Sequence, residues 1–240
     1  MNYTLTDLPD SGSNPVVYMD ISLKGEVIGT LLIRLFRDVF PAGVENFVNL
    51  AGGQTYQIIQ KGSPPLTWTQ DTIRTYTGTK FYHFLHNNYL IGGDIYSNNG
   101  TKAGTIYNDE PIPAHFGDFY YQHDAKGLLS LIPYVDNANG NMYYDSTFMI
   151  TLDDAKPTNA LRGLDRDQIV IGQVYSGLDV LDKMNQLIKP FAGRRYPEFV
   201  ISSSGLLQNR NGITTRRKQQ RQKPHRKFIS KPVEVPNLNR

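Results

Sequence analysis

The run that most constrains this chain spans residues 81–94, where Phe81, Tyr82, Phe84, Leu85, Tyr89, Leu90 and Ile91 lead into Gly92-Gly93-Asp94. Aromatic and large apolar side chains in imperfect alternation suit a strand lying against a core. Two consecutive glycines then permit backbone angles with positive φ. The run reads as strand, exposed bend and turn, so the fold is organised around a sheet.

The preceding chain agrees. The stretch from Val16 to Leu23 is β-rich, Lys24-Gly25-Glu26 makes a turn, and residues 27–36 form a second β-rich run, which predicts a hairpin. Pro41 then opens a segment with apolar residues at Val44, Phe47, Val48 and Leu50, helical in spacing and closed by Gly52-Gly53. Residues 178, 181 and 184 repeat that spacing, which predicts a second helix.

At 240 residues, with 39% hydrophobic and 20% charged residues, the chain can bury a sizeable core. No apolar run approaches the ~18 residues of a membrane helix, and the polar start with Asp7 and Asp10 resembles neither a secretory signal nor a basic transit peptide. A cytosolic location and no membrane partner are therefore expected. With zero cysteines, disulfides, thiolate nucleophiles and Cys-ligated zinc are excluded.

Net charge is +3 overall but unevenly placed. Residues 209–240 hold ten Lys or Arg against the single Glu234, a balance of +9, which leaves −6 for the rest. An acidic body carries a basic tail, expected over residues 206–240, where periodicity is lost. Residues 1–14 are expected to be a flexible leader and 15–205 the folded domain.

These segments together resemble the cyclophilins, the peptidyl-prolyl cis-trans isomerases. Asn14, Pro15, Val17, Asp20, Ile21, Gly25, Glu26 and Gly29 fall on the family's opening N-P-x-V-x-x-D-I and G-E-x-x-G. Leu35, Phe36, Asp38, Pro41, Glu45, Asn46 and Phe47 fall on L-F-x-D-x-x-P-x-x-x-E-N-F. Phe81, Gly92, Gly93 and Asp94 keep the frame of F-H-R-I-I-P-G-F-x-x-Q-G-G-D. Asn99-Gly100-Thr101, Gly127 to Leu131, Ser146 to Ile150 and Leu164 to Val174 resemble later motifs. The resemblance implies a mostly β fold, an eight-stranded antiparallel barrel capped by two α-helices. Two stretches depart from the family: about 54–79, rich in β-formers and expected to add a hairpin or loop, and about 133–145.

The implied chemistry is rotation about the bond preceding proline, whose barrier is roughly 18–20 kcal/mol because the nitrogen lone pair is delocalised. A donor aimed at that nitrogen localises the pair, and preorganised donors are each worth about 10²–10³ in rate. In the family this is the arginine's role; here His83 stands at its position. Imidazole is shorter than guanidinium and offers at most two donors in place of a fixed charged fork.

The implied groove is altered further. Asn88 replaces an aromatic wall, Tyr89 a methionine, Ile91 a glutamine, Met149 the inner phenylalanine and Gln168 a histidine; Leu164 is kept, and Gly163 lies where a tryptophan often sits. Pro133 falls in the segment that pairs with substrate backbone and has no N–H to give. A buried amide such as that of Gln168 must find a partner or cost roughly 1–3 kcal/mol. The following loop, residues 135–145, is longer than the family's and carries Tyr143-Tyr144, which could cover the groove or form an interface.

Lost or weakened isomerase activity is therefore expected, with a binding, structural or self-assembly role. The alternative is an active isomerase with a different peptide preference. His83, His86, His115 and His123 are weak metal ligands, since three-apart spacing in a strand and bend does not converge two imidazoles. Gly92-Gly93-Asp94 lacks the Lys-Ser/Thr of a phosphate loop. Neither metal nor cofactor is expected. The resemblance implies a proline-containing peptide or protein as partner. Arg216, Arg217, Lys218, Arg221, Lys223, Arg226 and Lys227 form the partner-binding candidate, docking on the acidic body of another copy in a homo-oligomer. The same segment also reads as a solvated or targeting tail, and non-specific nucleic-acid binding is the further alternative, with Phe228 alone to stack on bases.

Overall fold

The computed structural model describes residues 14–61, 67–114, 121–138, 140–152, 163–188, 196–210 and 213–216, with backbone alone for 54–73, 166 and from 208 onward. The leader to residue 13 and the tail beyond 216 lie outside these residues.

Strands β1 (Val16–Leu23) and β2 (Glu26–Leu35) pair antiparallel around Lys24 and Gly25, whose φ values of 53° and 86° make the tight turn that an unbranched residue and glycine tolerate. Val17 opposes Ile33 and Met19 opposes Leu31, and all four are buried on one face. Helix α1 (Pro41–Gly52) has proline in its first turn and Gly53 at φ 66° beyond its end. Its Val44, Phe47, Leu50 and Ala51 are buried in the core.

The chain continues through β3 (Gln54–Lys61), β4 (Thr67–Arg74), β5 (His83–Leu85), β6 (Tyr89–Gly92), β7 (Ile112–Pro113), β8 (Leu128–Val135) and β9 (Met142–Thr151). A 3-10 turn at Leu164–Arg166 precedes β10 (Ile169–Ser176), then come helix α2 (Leu178–Leu187), β11 (Phe199–Arg210) and β12 (Ile213–Arg216). Hydrogen-bonded neighbours run β11, β1, β2, β10, β8, β9, β6 and β5, the eight strands of the expected barrel. Closure comes from the chain just before β5: Phe81 N–H donates to Phe199 O, Gly78 N–H to Ile201 O and Ile201 N–H to Thr79 O. A closed ring leaves those strands no bare edge.

Phe47, Tyr76, Phe81 and Phe148 interlock inside, with ring centroids 4.8–5.9 Å apart. Edge-on geometries dominate, as the aromatic quadrupole favours. Helix α2 adds Val180, Leu181 and Met184 to the same hydrophobic cluster. Among the described residues no helix is long and apolar enough to cross a membrane.

Both departures from the family are β-hairpins. Strands β3 and β4 form a separate two-stranded ladder. The stretch read as a loop at 135–145 instead lengthens β8 and β9, with Tyr134 opposite Tyr143 and Val135 opposite Met142. Asp136 ties the tip: its N–H donates to Asn141 O and its carbonyl accepts from Gly140 N–H, where Gly140 has φ 72°. Strand β11 also continues past residue 206, where the sequence places the start of the tail. Leu206 and Leu207 pair with Val17 and Val16, and the backbone of β12 then pairs with β11.

Candidate substrate groove

The groove residues come together by register. His83 opposes Ile91, Ile91 opposes Met149, and Met149 opposes Ser130, so a single row crosses β5, β6, β9 and β8. Directly opposed residues share a face. The adjacent row of Leu90, Ile150 and Leu129 faces the hydrophobic core, which places the His83 row on the outer face.

Exposure falls steeply along that row. His83 is exposed and Ile91 half-buried, whereas Met149 is 0% exposed and Ser130 equally closed off. Met149, which the resemblance assigns to the floor of the proline pocket, is thus out of reach of a water-sized sphere, as is Ser130. Gln168 reaches the same place from the 3-10 turn, where its N–H donates to Leu164 O at 2.9 Å. It is 7% exposed, and its Oε1 accepts a 2.9 Å hydrogen bond from Ser130 Oγ. The buried amide oxygen has found its partner in a serine that the sequence offered only as part of a strand motif.

The donor end is loose by comparison. The His83 ring lies 6.1 Å from that of Tyr89 at a 31° tilt. Asn88 turns its side-chain amide back, Nδ2 donating to His86 O at 3.0 Å, while its main-chain carbonyl accepts from Leu152 N–H at 2.8 Å. Asn87, at φ 60°, is held to α2 by two hydrogen bonds with Asn185. Pro133 follows a register shift in β8 and opposes Tyr144; Pro133 and Leu164 are both half-buried.

The Gly-Gly-Asp turn is structural. A Cβ on Gly93, which has φ 98°, would meet Ser146 O at 2.1 Å. Asp94 is almost fully buried and accepts hydrogen bonds from the N–H groups of Tyr96, Ser97, Asn99, Gly100 and Thr101 and from Ser97 Oγ. Burial alone would raise its pKa, but the bonds from Ser97, Asn99 and Tyr96 outweigh it and hold the carboxyl well below the usual range. Asp94 organises a loop of its own chain and is filled by it.

The histidines do not converge. Nδ1 of buried His123 pairs with Asp165 Oδ1 at 2.8 Å, and His115 lies outside the described residues. Among the described residues no group of three or more His, Asp or Glu side chains could hold a metal. Of the basic partner-binding candidates, Arg216 ends β12 with backbone alone described; Arg217, Lys218, Arg221, Lys223, Arg226 and Lys227 lie outside the described residues.

Comparison with known proteins agrees with this geometry. Residues 18–224 match the sequence model of the cyclophilin type peptidyl-prolyl cis-trans isomerases. A protein of Acanthamoeba polyphaga mimivirus described as a structural PPIase-like protein is 56% identical over 240 residues, 98% of this chain and 100% of that one. The crystal structure of the mimivirus cyclophilin superposes with a TM-score of 0.68 at 60% identity, covering 86% of this chain and 95% of the other. A barrel of this topology, motifs in register along most of its strands and relatives of full length leave one assignment: the chain belongs to the cyclophilin family.

Proposed function

We propose that this cyclophilin has little or no prolyl isomerase activity and serves as a binding, structural or self-assembly protein. The observation that carries this reading is the closed floor: Met149 at 0% exposure beside the Ser130–Gln168 hydrogen bond. Catalysis needs a seat for the proline ring and a donor fixed over its nitrogen. Here Met149, Ser130 and Gln168, at the position of that seat, are themselves buried, and His83 lies exposed at the far end of the row. Pro133 supports the same reading, because the strand that would pair with substrate backbone lacks an N–H there.

The word "structural" in the mimivirus relative's description points the same way. We place the protein in the host cytoplasm with association to the virion, its basic tail from Arg216 onward mediating contacts between copies. Magnetisation-exchange NMR on Ala-Pro peptides tests the reading: cis-trans exchange should stay at the uncatalysed rate. Turnover within tenfold of an ordinary cyclophilin would sink it.

A further inference from the structure

The lengthened β8–β9 hairpin builds a second feature, away from the closed floor. An open cleft of about 750 Å³ is lined by Glu110, Pro111 and Pro113 on one side and Tyr134, Asp136 and Tyr143 on the hairpin side. The Tyr134 and Tyr143 rings stand 5.9 Å apart at a 31° tilt, with Tyr134 44% and Val135 54% exposed. A hairpin that exposes Tyr134 and Val135 beside a half-buried Tyr143 leaves apolar surface that water covers poorly.

The charged residues that line this cleft among the described residues, Glu110 and Asp136, are both acidic. Neither is ion-paired to another described residue. Burial and then the negative charge of Asp145, with smaller contributions from Tyr143, Asp136 and Glu110, push the Tyr134 phenol above its ordinary value. Aromatic faces with carboxylates beside them suit a cationic side chain, through cation–π contact and ion pairing together.

The chain supplies such a partner. Residues 216–228 carry seven Lys or Arg, no acid, and Pro224 and Phe228 as apolar contacts. Where that segment begins bears on which copy receives it. Arg216 pairs with Leu207, Leu207 with Val16, Val16 with Arg34, Arg34 with Gln173 and Gln173 with Leu128, a chain of partners that ends at the start of β8. The cleft sits at the other end of that strand, beyond Val135. At ~3.3 Å per residue the length of β8 alone separates the two levels by on the order of 25 Å, in addition to the distance around the barrel. Only the far end of a segment that spans roughly 40 Å when extended therefore reaches the cleft of its own copy, whereas the whole segment can lie along that of a second.

We propose that the cleft between residues 110–113 and the β8–β9 hairpin is the docking site for the basic segment 216–228 of a second copy. The proposal rests on the reading that the tail mediates assembly, and names the surface that receives it. Because every copy offers both a tail and a cleft, the contacts can close into a ring.

The test uses the full chain in light scattering. An oligomer is expected whose mass falls toward the monomer in the double variant Glu110→Gln/Asp136→Asn, which keeps side-chain size and the acceptor for Ala138 N–H. An excess of free peptide 216–228 should dissociate the wild-type oligomer, and a peptide with its seven basic residues replaced by Gln should not. Circular dichroism checks that the variant is folded. A mass unchanged by the double variant overturns the site, and a monomeric wild type overturns the second copy as occupant. Isomerase exchange on the same samples separates this from the inactivity reading. Catalysis with cleft-dependent assembly would refute inactivity alone, whereas no catalysis with cleft-independent assembly would refute the docking site alone.

Discussion

Ser130 Oγ donates a 2.9 Å hydrogen bond to Gln168 Oε1 inside the closed groove, and each residue is buried. Removing one partner strands the other without water. Ser130→Ala and Gln168→Leu are each expected to lower stability by roughly 1–3 kcal/mol in urea unfolding, the cost of an unsatisfied buried polar group. The double variant should cost less than the sum, because no unpaired group remains in it. Strict additivity would show that the bond contributes nothing.

His83→Arg returns the family's donor to its position without opening the floor. Met149 stays at 0% exposure and Pro133 still lacks an N–H, so the guanidinium has no seated proline to act on. Exchange NMR on the variant should show the uncatalysed rate. Recovery of a hundredfold or more, the scale of one preorganised donor, would mean that the arginine alone was missing.

How much of this was legible depends on the range of the interaction. The β1–β2 hairpin could be read directly because alternation and a Lys-Gly turn are local signals, and α1 because Pro41 and Gly53 punctuate a 3.6 period. The motif frame likewise assigned His83, Met149 and Gln168 to one groove. It could not show that Met149 is closed off, or that Gln168 finds Ser130, since those partners are 38 residues apart and meet only when β8 and β10 pair. The end of β11 was illegible for a different reason. Gln208, Asn209 and Arg210 have no apolar alternation, and backbone pairing with β12 carries the strand there. At residues 135–145 a long polar link read as a loop, because two tyrosines opposed across a ladder leave no trace in spacing until Asp136 and Asn141 close the turn.

Gly93 and Gly25 separate backbone strain from steric exclusion. Both have positive φ, 98° and 86°, but a Cβ on Gly25 meets nothing within 4 Å while one on Gly93 meets Ser146 O at 2.1 Å. Gly25→Ala is expected to cost about 1–2 kcal/mol, from conformation alone. Gly93→Ala must also move backbone away from the carbonyl and should exceed about 3 kcal/mol. Thermal unfolding of the two variants side by side gives the comparison, and equal losses would argue against the close approach.

Asp94 sets the acid limit of the fold. Its folded pKa lies below the ordinary carboxyl value of 3.8, because the donors of its loop outweigh burial. The unfolded state therefore binds the proton first as pH falls. The stabilisation is fully present above about pH 4 and is lost as pH drops through the lowered folded value. Asp94→Asn removes the charge but retains one acceptor oxygen. It should cost roughly 1.5–3 kcal/mol at pH 7, the scale of hydrogen bonds to a charged group. Urea unfolding of wild type and variant from pH 7 down to pH 2 should show the gap constant to about pH 4 and narrowing below it. A gap that stayed constant to pH 2 would mean that the fixed geometry of the loop, and not the carboxylate charge, accounts for the loss.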